Sequence, residues 1–171
     1  MARLATKLIL AASLVAIAGC AKKPPADLPP PPGDEQGAAT GDQSGVGTEA
    51  VPGSQADFIA KVQSDRVFFD TDKYDVDAED QAILASQAAW LKQYPNVRVT
   101  IEGHADERGT REYNLALGER RANSAKNYLA AQGIDASRIS TISYGKERPD
   151  ALGSDESAWA RNRRAVTVTI Q

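Results

Sequence analysis

Residues 97–133 read VRVTIEGHADERGTREYNLALGERRANSAKNYLAAQG and decide the fold. At the start of this stretch, Val97, Val99 and Ile101 alternate with polar residues, which predicts a half-buried strand. Further on, the apolar residues recur with a helical period, and Gly133 is a typical residue just beyond a helix end. The stretch therefore predicts a strand, a glycine-flanked loop and a long helix.

The other elements lie on both sides of this stretch, and each shows one of the same two periods. They are strands at Arg66–Phe69, Val97–Glu102, Ile139–Tyr144 and Val166–Ile170, and helices at Ala78–Tyr94 and Arg111–Gln132. Their order along the chain is β-α-β-α-β-β. This order predicts an α/β sandwich in which both helices pack on one face of a mixed sheet.

Composition divides the 171-residue chain into two parts. All ten aromatic residues follow residue 57, whereas seven of the nine prolines lie between Pro24 and Pro52. A hydrophobic core is therefore expected within residues 55–171, a length that needs no metal or disulfide for stability. This part carries 16 Lys and Arg against 18 Asp and Glu, so it has no net positive charge to attract nucleic acid.

The N-terminus reads as a lipoprotein signal peptide of residues 1–19. Two basic residues precede an apolar run, Leu8–Ala18, that is too short to span a bilayer. Cys20 is the only cysteine and follows Ile17-Ala18-Gly19, a pattern that resembles the bacterial lipobox. The lipobox implies lipid chains on Cys20; the alternative is a chance cysteine near an ordinary cleavage site. Because Ala21 is not an acidic retention signal, the lipoprotein sorting rule implies the outer membrane.

Residues 20–54 are expected to form a disordered tether with the lipid at its first residue. The run Pro29–Pro32 and the Gly, Asp, Gln, Ser and Thr around it include no aromatic residue and no hydrophobic periodicity. Such a composition does not offset the entropy lost on ordering. As a flexible chain, the tether spans roughly 30 to 35 Å between its ends. The folded part is therefore expected to work at a distance from the membrane.

Two charged residues in the central stretch are candidates for a functional site. On a helical wheel, Arg121 lies at the edge of the apolar stripe of the long helix, so its guanidinium points near the sheet. An arginine there needs an anionic partner, and Asp106 at the strand end is a candidate neighbour. The residues alone allow two interpretations: a structural salt bridge between Asp106 and Arg121, or a ligand site that uses both charges.

Six blocks of the sequence, in order, resemble the peptidoglycan-associated lipoproteins (Pal), a family with an OmpA-like C-terminal domain. The blocks are Val67–Asp75, Gly103–Thr110, Tyr113–Asn114, Gly118–Asn123, Ser143–Glu147 and Asn162–Val166. The resemblance implies that residues 55–171 bind the peptidoglycan stem peptide noncovalently, while the lipid holds the periplasmic face of the outer membrane. It also implies the Tol system, chiefly TolB, as partner, and roles in envelope integrity and outer-membrane constriction at cell division. The alternative is an OmpA-like wall-anchoring lipoprotein without a Tol partner.

The same resemblance assigns the peptidoglycan-binding residues. A meso-diaminopimelate side chain ends in an ammonium and a carboxylate on one carbon, so its reader needs a fixed anion and a fixed cation. Asp106 matches the family's partner for the ammonium, and Arg121 matches the partner that binds the carboxylate with two hydrogen bonds. By resemblance, the other residues of the pocket are Phe69, Asp70, Arg108, Thr110, Asn114 and Leu117.

Neither an enzyme nor a metal site is expected from the sequence. His104 is the only histidine and has no identifiable nucleophile beside it, which argues against metal centres with several histidines and against catalysis. We expect it to hydrogen-bond within its loop. The acidic residues from Asp70 to Asp77 lack EF-hand spacing. Arg161, Arg163 and Arg164 are expected to be solvated or ion-paired, and no cofactor is expected besides the covalent lipid.

Overall fold

The computed structural model describes residues 50–170. Its elements are α1 (Gln55–Lys61), β1 (Arg66–Phe68), α2 (Ala78–Gln93), β2 (Arg98–His104), α3 (Arg111–Ala131), β3 (Ile139–Gly145), α4 (Glu156–Asn162) and β4 (Arg164–Ile170), with a 3-10 helix, Ala136–Arg138, before β3. The predicted four strands and two long helices are confirmed. The predicted signal peptide, Cys20 and most of the predicted tether lie outside the described residues. Within residues 50–170, no helix has both the length and the apolar character needed to cross a membrane.

Two short helices, α1 and α4, are absent from the sequence prediction. Each has seven residues, too few for a helical period to stand out. Each begins at a side chain that accepts a backbone hydrogen bond: Ser54 from the amide of Asp57 at 3.2 Å, and Asp155 from the amide of Ala158 at 3.0 Å. Packing also supports these helices, since Phe58 of α1 is fully buried.

The sheet has four strands in the order β1-β4-β2-β3 and is mixed, as predicted. Strands β2 and β3 are parallel and are joined by α3, so they form a β-α-β unit. Strand β4 lies between β1 and β2 and is antiparallel to both. The C-terminal ends of β1, β2 and β3 therefore meet at one end of the sheet, together with the start of β4.

Helices α2 and α3 pack on one face of the sheet, and the core lies between these helices and the strands. Val99 and Ile101 of β2 are fully buried there, as are Leu91 of α2 and Leu129 of α3. Burying a side chain of this kind contributes roughly 1.5 to 3 kcal/mol. The alternating pattern of β2 and the apolar stripe of α3 thus meet as the sequence predicts.

A contact between two glycines sets how closely α3 approaches β2. Gly103 near the end of β2 lies against Gly118 of α3, and a Cβ atom at Gly103 would overlap the Gly118 carbonyl. A Cβ atom at Gly118 would in turn lie 2.8 Å from the Gly103 carbonyl oxygen. The glycines therefore allow backbone to meet backbone. Asp106 follows Gly103 by three residues and Arg121 follows Gly118 by three, so this contact positions both charges.

Candidate functional site

A small cavity lies where β1, β2 and β3 end, beside the first turns of α3. Its walls come from the turn after β1, the loop after β2, and α3. Its volume is about 320 Å³, at the low end for ligand cavities, which suits a small group rather than a large cofactor. The lining residues are Thr71, Asp72, Asp106, Arg108, Gly109, Tyr113, Asn114, Leu117 and Arg121.

Asp106 brings a negative charge to this small cavity and is 7% exposed. Its Oδ1 accepts hydrogen bonds from the backbone amide and from Nε of Arg108, both at 3.1 Å. Its Oδ2 accepts from Nη2 of Arg108 at 2.7 Å and from Nη1 of Arg163 at 3.5 Å. Burial by itself raises the pKa of the Asp106 carboxyl, but the hydrogen bonds from Arg108 and Arg163 outweigh burial and hold this pKa below its ordinary value. Asp106 is therefore ionised at neutral pH.

Arg121 brings a positive charge to the same cavity, and its side chain has no solvent exposure. It donates hydrogen bonds to three carbonyl oxygens: Nε to Lys73 at 2.8 Å, Nη1 to His104 at 2.9 Å, and Nη2 to Asp70 at 3.0 Å. Burial and the neighbouring charge of Arg163 lower the pKa of Arg121 to about 10. The guanidinium is therefore still protonated at neutral pH, and the backbone holds it in place.

The structural salt bridge between Asp106 and Arg121, one of the two interpretations drawn from the sequence, is wrong. Within residues 50–170, the ion-pair partners of Asp106 are Arg108 and Arg163, and the hydrogen-bond partners of Arg121 are all uncharged carbonyls. A guanidinium has five N–H donors, of which the three carbonyls use three. The buried charge of Arg121 is thus oriented but not neutralised, which favours an anion beside it.

The turn after β1 forms one wall of the small cavity. The amide of Lys73 donates to the carbonyl of Asp70 at 3.2 Å, and Asp72 between them has a left-handed backbone with φ 58°. Asp tolerates this conformation better than most residues. The hydroxyl of Tyr113 donates to Asp72 at 3.0 Å, and Arg121 binds the carbonyls on both sides of the turn. Arg121 therefore fixes the turn as well as lining the cavity.

A larger cavity of about 630 Å³ lies on the other side of this turn. Phe69 and Asp70, which the sequence predicts in one pocket with Asp106, line this larger cavity instead. The turn reverses the chain after Asp70, so Thr71 and Asp72 line the small cavity. The predicted residues that the structure does bring together in the small cavity are Asp106, Arg108, Asn114, Leu117 and Arg121.

Thr110, the remaining predicted residue, is not among the residues that line either cavity. It is the N-cap of α3, because its side chain accepts a hydrogen bond from the amide of Tyr113 at 3.2 Å. Four lining residues were not assigned from the sequence, although all of them lie in the six blocks: Thr71, Asp72, Gly109 and Tyr113. Spacing alone does not show which side chains of a turn face a cavity. Contact of any of these residues with peptidoglycan stays a prediction.

Arg163 is a residue of the site that sequence reasoning missed. It follows α4 and is 6% exposed. Its Nε donates to the carbonyl of Phe69 at 2.9 Å, and its Nη2 donates to Glu156 at 2.7 Å. Together with its contact to Asp106, these bonds connect the end of β1, the loop after β2, and α4. Arg163 therefore holds Asp106 from the side of the larger cavity, which Arg163 lines.

The expectation that the three arginines near the C-terminus are solvated or ion-paired is confirmed for Arg161 and Arg163. It is wrong for Arg164, whose guanidinium donates only to the carbonyls of Asn162 and Arg148 within the described residues. Arg161 pairs with Asp150 at 2.8 Å, and Arg163 pairs with Glu156. Arg163 and Arg164, however, are both 6% exposed. The reason is that α4, which was not predicted from the sequence, ends at Asn162. Arg163 and Arg164 follow directly and lie in the protein interior.

His104 contributes its backbone rather than its imidazole to this site. The ring is 2% exposed and lies 5.6 Å from the ring of Tyr144. The expected hydrogen bond within the loop is wrong, since neither ring nitrogen has a hydrogen-bond partner among the described residues, although the Glu102 carboxylate lies 3.6 Å from Nε2. Burial and the charge of Arg164 lower the pKa of His104 to about 4, so the ring is neutral at pH 7. Residues 50–170 contain no group of three or more His, Cys, Asp or Glu side chains that could hold a metal ion.

The small cavity therefore presents two opposite charges that the fold holds in place. Asp106 can accept hydrogen bonds from a cation, and Arg121 has donors for an anion. Asp106 and Arg121 do not form an ion pair with each other, so neither charge neutralises the other. Such an arrangement suits a small ligand group that carries an ammonium and a carboxylate close together.

Comparison with known proteins identifies similar chains. Residues 68–163 match the sequence pattern of the OmpA family. A peptidoglycan-associated lipoprotein of Agrobacterium fabrum is 54% identical over 154 residues, covering 90% of this chain and 81% of that protein. Another from Haemophilus influenzae is 39% identical over 166 residues, covering 97% and 98%. The crystal structure of the peptidoglycan-associated lipoprotein from Burkholderia pseudomallei has a TM-score of 0.61 and 44% identity, covering 66% of this chain and 93% of that chain.

Proposed function

Because the chain belongs to the OmpA family, we propose that it is a lipoprotein that binds peptidoglycan noncovalently and anchors the outer membrane to the cell wall. The names of its relatives, which match along most of their length, support this proposal. The role is binding rather than catalysis. The charges at the small cavity support binding, because burial and hydrogen bonds orient them toward a ligand.

The ligand group that we propose is the free end of meso-diaminopimelate in the stem peptide. Its ammonium binds Asp106, and its carboxylate binds the two N–H donors of Arg121 that the carbonyls leave over. The observation that carries this proposal is the state of Arg121, a fully buried cation bonded only to neutral carbonyls within the described part of the chain. A carboxylate at this position gains charge-assisted hydrogen bonds without the entropy cost of ordering the arginine.

Sedimentation with the wall polymer tests this binding directly. The unlipidated chain from residue 21 onward is expected to sediment with purified peptidoglycan that contains meso-diaminopimelate and to stay in solution without it. Arg120→Ala is a matched control, because Arg120 is exposed on α3 beside Arg121 in sequence. Equal solubility with and without peptidoglycan would contradict the proposal.

The anchor that we propose is lipid on Cys20, and it shares no residue with the folded domain. Residues 1–19 are the proposed signal peptide, 20–54 the proposed tether, and 55–171 the proposed peptidoglycan-binding domain. Cys20→Ser is expected to leave folding and peptidoglycan binding unchanged while it releases the protein from the membrane fraction. A Cys20→Ser chain that still floats with outer membranes would point to a different anchor.

We further propose the Tol system as partner, with TolB as the direct contact, and a role in envelope integrity and in outer-membrane constriction at division. The similarity to peptidoglycan-associated lipoproteins along nearly the whole chain supports this finer assignment. A pull-down of the unlipidated chain with purified TolB tests it. Capture of TolB is expected; binding to peptidoglycan without capture of TolB would favour a wall anchor that acts without a Tol partner.

A further inference from the structure

We infer that the guanidinium of Arg108 serves as the internal counter-ion of Asp106 and lowers the affinity of the site, because the ammonium of an entering ligand has to displace it. The inference rests on the proposed function, because it requires a ligand ammonium that binds Asp106. It goes further by assigning Arg108 a role as a competitor of the ligand. A residue that merely closes the pocket would have no such role.

The acceptor capacity of Asp106 makes displacement necessary. A carboxylate offers about four lone-pair positions. Arg108 supplies three of the hydrogen bonds to Asp106, one from its backbone amide and two from its side chain, and Arg163 supplies the fourth. A ligand ammonium that needs acceptors on Asp106 therefore has to replace bonds that are already made.

Of the two arginines, Arg108 is the one that can leave. The Arg163 side chain is 7% exposed and is also bonded to Phe69 and Glu156, whereas the Arg108 side chain is 39% exposed. Apart from Asp106, the guanidinium of Arg108 contacts the hydroxyl of Thr71 at 3.3 Å and lies 4.2 Å from the ring centre of Trp159. When this guanidinium leaves, the backbone amide of Arg108 and the side chain of Arg163 still orient Asp106.

This exchange determines which ligands bind the site favourably. Replacing the Arg108 guanidinium by an ammonium leaves the charge balance of Asp106 unchanged, so a simple amine gains little. A ligand that also brings a carboxylate gains the additional bonds to Arg121. Arg108 thus lowers the affinity for every ligand that binds Asp106 through an ammonium, so that only a ligand that also bonds to Arg121 binds tightly.

The test compares Arg108→Gln with the matched control Arg111→Gln. Arg111 is 61% exposed, pairs with Glu147 and does not contact Asp106, so its replacement removes the same charge without removing the competitor. The unlipidated chain from residue 21 onward is titrated calorimetrically with the tripeptide L-Ala-γ-D-Glu-meso-diaminopimelate and with its L-lysine counterpart. We expect Arg108→Gln to bind both peptides about threefold to tenfold more tightly than the unsubstituted chain. Arg111→Gln should change either affinity by less than about twofold.

Trp159 provides a second readout. Departure of Arg108 from the indole should change tryptophan fluorescence when the unsubstituted chain binds the diaminopimelate peptide. The change should vanish in Trp159→Phe and in Arg108→Gln, although both variants still bind the peptide in the calorimeter. A fluorescence change of equal size in Arg108→Gln would overturn the inference.

The outcomes separate the inference from the proposed function. If the unsubstituted chain does not bind the diaminopimelate peptide, the proposed function fails and the inference fails with it. If the unsubstituted chain binds and Arg108→Gln binds equally or more weakly, only the inference fails, and Arg108 is then a direct ligand contact or a bystander. Should Arg108→Gln fold poorly by circular dichroism, Arg108→Lys replaces it: its compact cation competes less well for Asp106, so affinity is expected to rise by about twofold to threefold, and an unchanged or weaker affinity would overturn the inference.

Discussion

The two sides of the turn after β1 hold their charges in different ways. In the small cavity, Asp106 is 7% exposed and Arg121 is fully buried, and hydrogen bonds set the orientation of both. In the larger cavity, Asp70 and Lys73 form a 2.8 Å ion pair whose side chains remain 73% and 62% exposed. An exposed pair contributes only about 0.2 to 1 kcal/mol and rearranges in solvent. The comparison teaches that the charges suited to recognising a ligand are those whose positions the fold itself fixes.

The difference originates in the packing beneath each cavity. The small cavity lies above the contact between Gly103 and Gly118, which brings the end of β2 against α3. Arg121 projects from the buried face of α3 and reaches the carbonyls of the turn. Asp70 and Lys73 project from the opposite side of the turn, where solvent competes for them. One turn therefore has a rigid side and an exposed side.

The largest effect is expected from Gly103→Ala, which disturbs only the rigid side of the turn, where the small cavity lies. A methyl group at Gly103 would push α3 away from β2, at a cost of about 1 to 3 kcal/mol or more, and would separate Asp106 from Arg121. Urea unfolding should show the loss of stability, and titration should show at least a tenfold loss of affinity for the diaminopimelate peptide.

Gly133→Ala is the control for this change. Gly133 has φ 91°, and a Cβ atom there would meet nothing within 4 Å. Alanine at this position costs about 1 to 2 kcal/mol of backbone strain but leaves the contact between α3 and β2 intact. Peptide affinity should therefore stay unchanged. Equal losses of affinity in the two variants would break the link between helix packing and the site.

The next effect is the contrast between Asp106→Asn and Asp70→Asn. Removing the buried charge leaves the ligand's ammonium without an anionic partner between Arg108 and Arg163, at a cost of about 1.5 to 3 kcal/mol, or roughly tenfold to hundredfold in affinity. Removing the exposed charge should change affinity by less than about twofold. The two variants are measured by titration at one ionic strength. A larger loss of affinity in Asp70→Asn than in Asp106→Asn would indicate that the peptide binds in the larger cavity.

A smaller effect concerns pH and extends the contrast to folding stability. Burial raises the pKa of Asp80, which accepts a hydrogen bond from the amide of Phe68, to about 6. Because this pKa lies above the unfolded value of 3.8, stability is highest with Asp80 protonated and falls as pH rises through about 6. Asp80→Asn should therefore be more stabilising at pH 7.5 than at pH 4.5, by about 1 to 2 kcal/mol.

For Asp70, the pH dependence of the stability change is expected to have the opposite sign. The hydrogen bond from Lys73 lowers the pKa of Asp70, so its contribution is present above the unfolded pKa and is lost on acidification. Asp70→Asn should accordingly be less favourable at pH 7.5 than at pH 4.5, with a smaller change because the group is exposed. Urea unfolding of the unsubstituted chain and of both variants at both pH values measures the six free energies of unfolding that this comparison needs. If the stability changes of both variants shifted in the same direction between pH 4.5 and pH 7.5, the contrast between the buried and the exposed carboxylate would be contradicted.

The smallest effect is expected from Arg120→Ala. Arg120 precedes Arg121 by one residue, but the helical rotation of about 100° places it on the exposed face. Its guanidinium lies 5.7 Å from the ring centre of Tyr74, an exposed contact of little energy. Titration should show a change of less than about twofold, against a loss of tenfold or more for Arg121→Ala. Equal effects of the two substitutions would overturn the assignment of helix faces.

The sequence predicted the parts of the molecule that periodicity controls. The strand at Val97–Glu102 and the helix at Arg111–Gln132 follow from the alternating and helical patterns, and the wheel placed Arg121 correctly toward the sheet. The backbone carbonyls that bind Arg121 come from distant segments, so no local pattern indicates them. The burial of Arg163 was hidden for the same reason, since it depends on a seven-residue helix held by tertiary packing.

The measurement that tests the central claim most directly is a titration of the unlipidated chain with three stem peptides at one ionic strength. The first carries meso-diaminopimelate, the second has its ε-carboxylate amidated, and the third has lysine at that position. Amidation neutralises the carboxylate and lysine lacks it, so Arg121 loses its charged partner in both cases while Asp106 keeps an ammonium. We predict that both altered peptides bind at least roughly tenfold more weakly, since the loss of even one of the two charged hydrogen bonds to Arg121 implies that factor. Indistinguishable affinities for the three peptides would contradict a site built on Asp106 and Arg121.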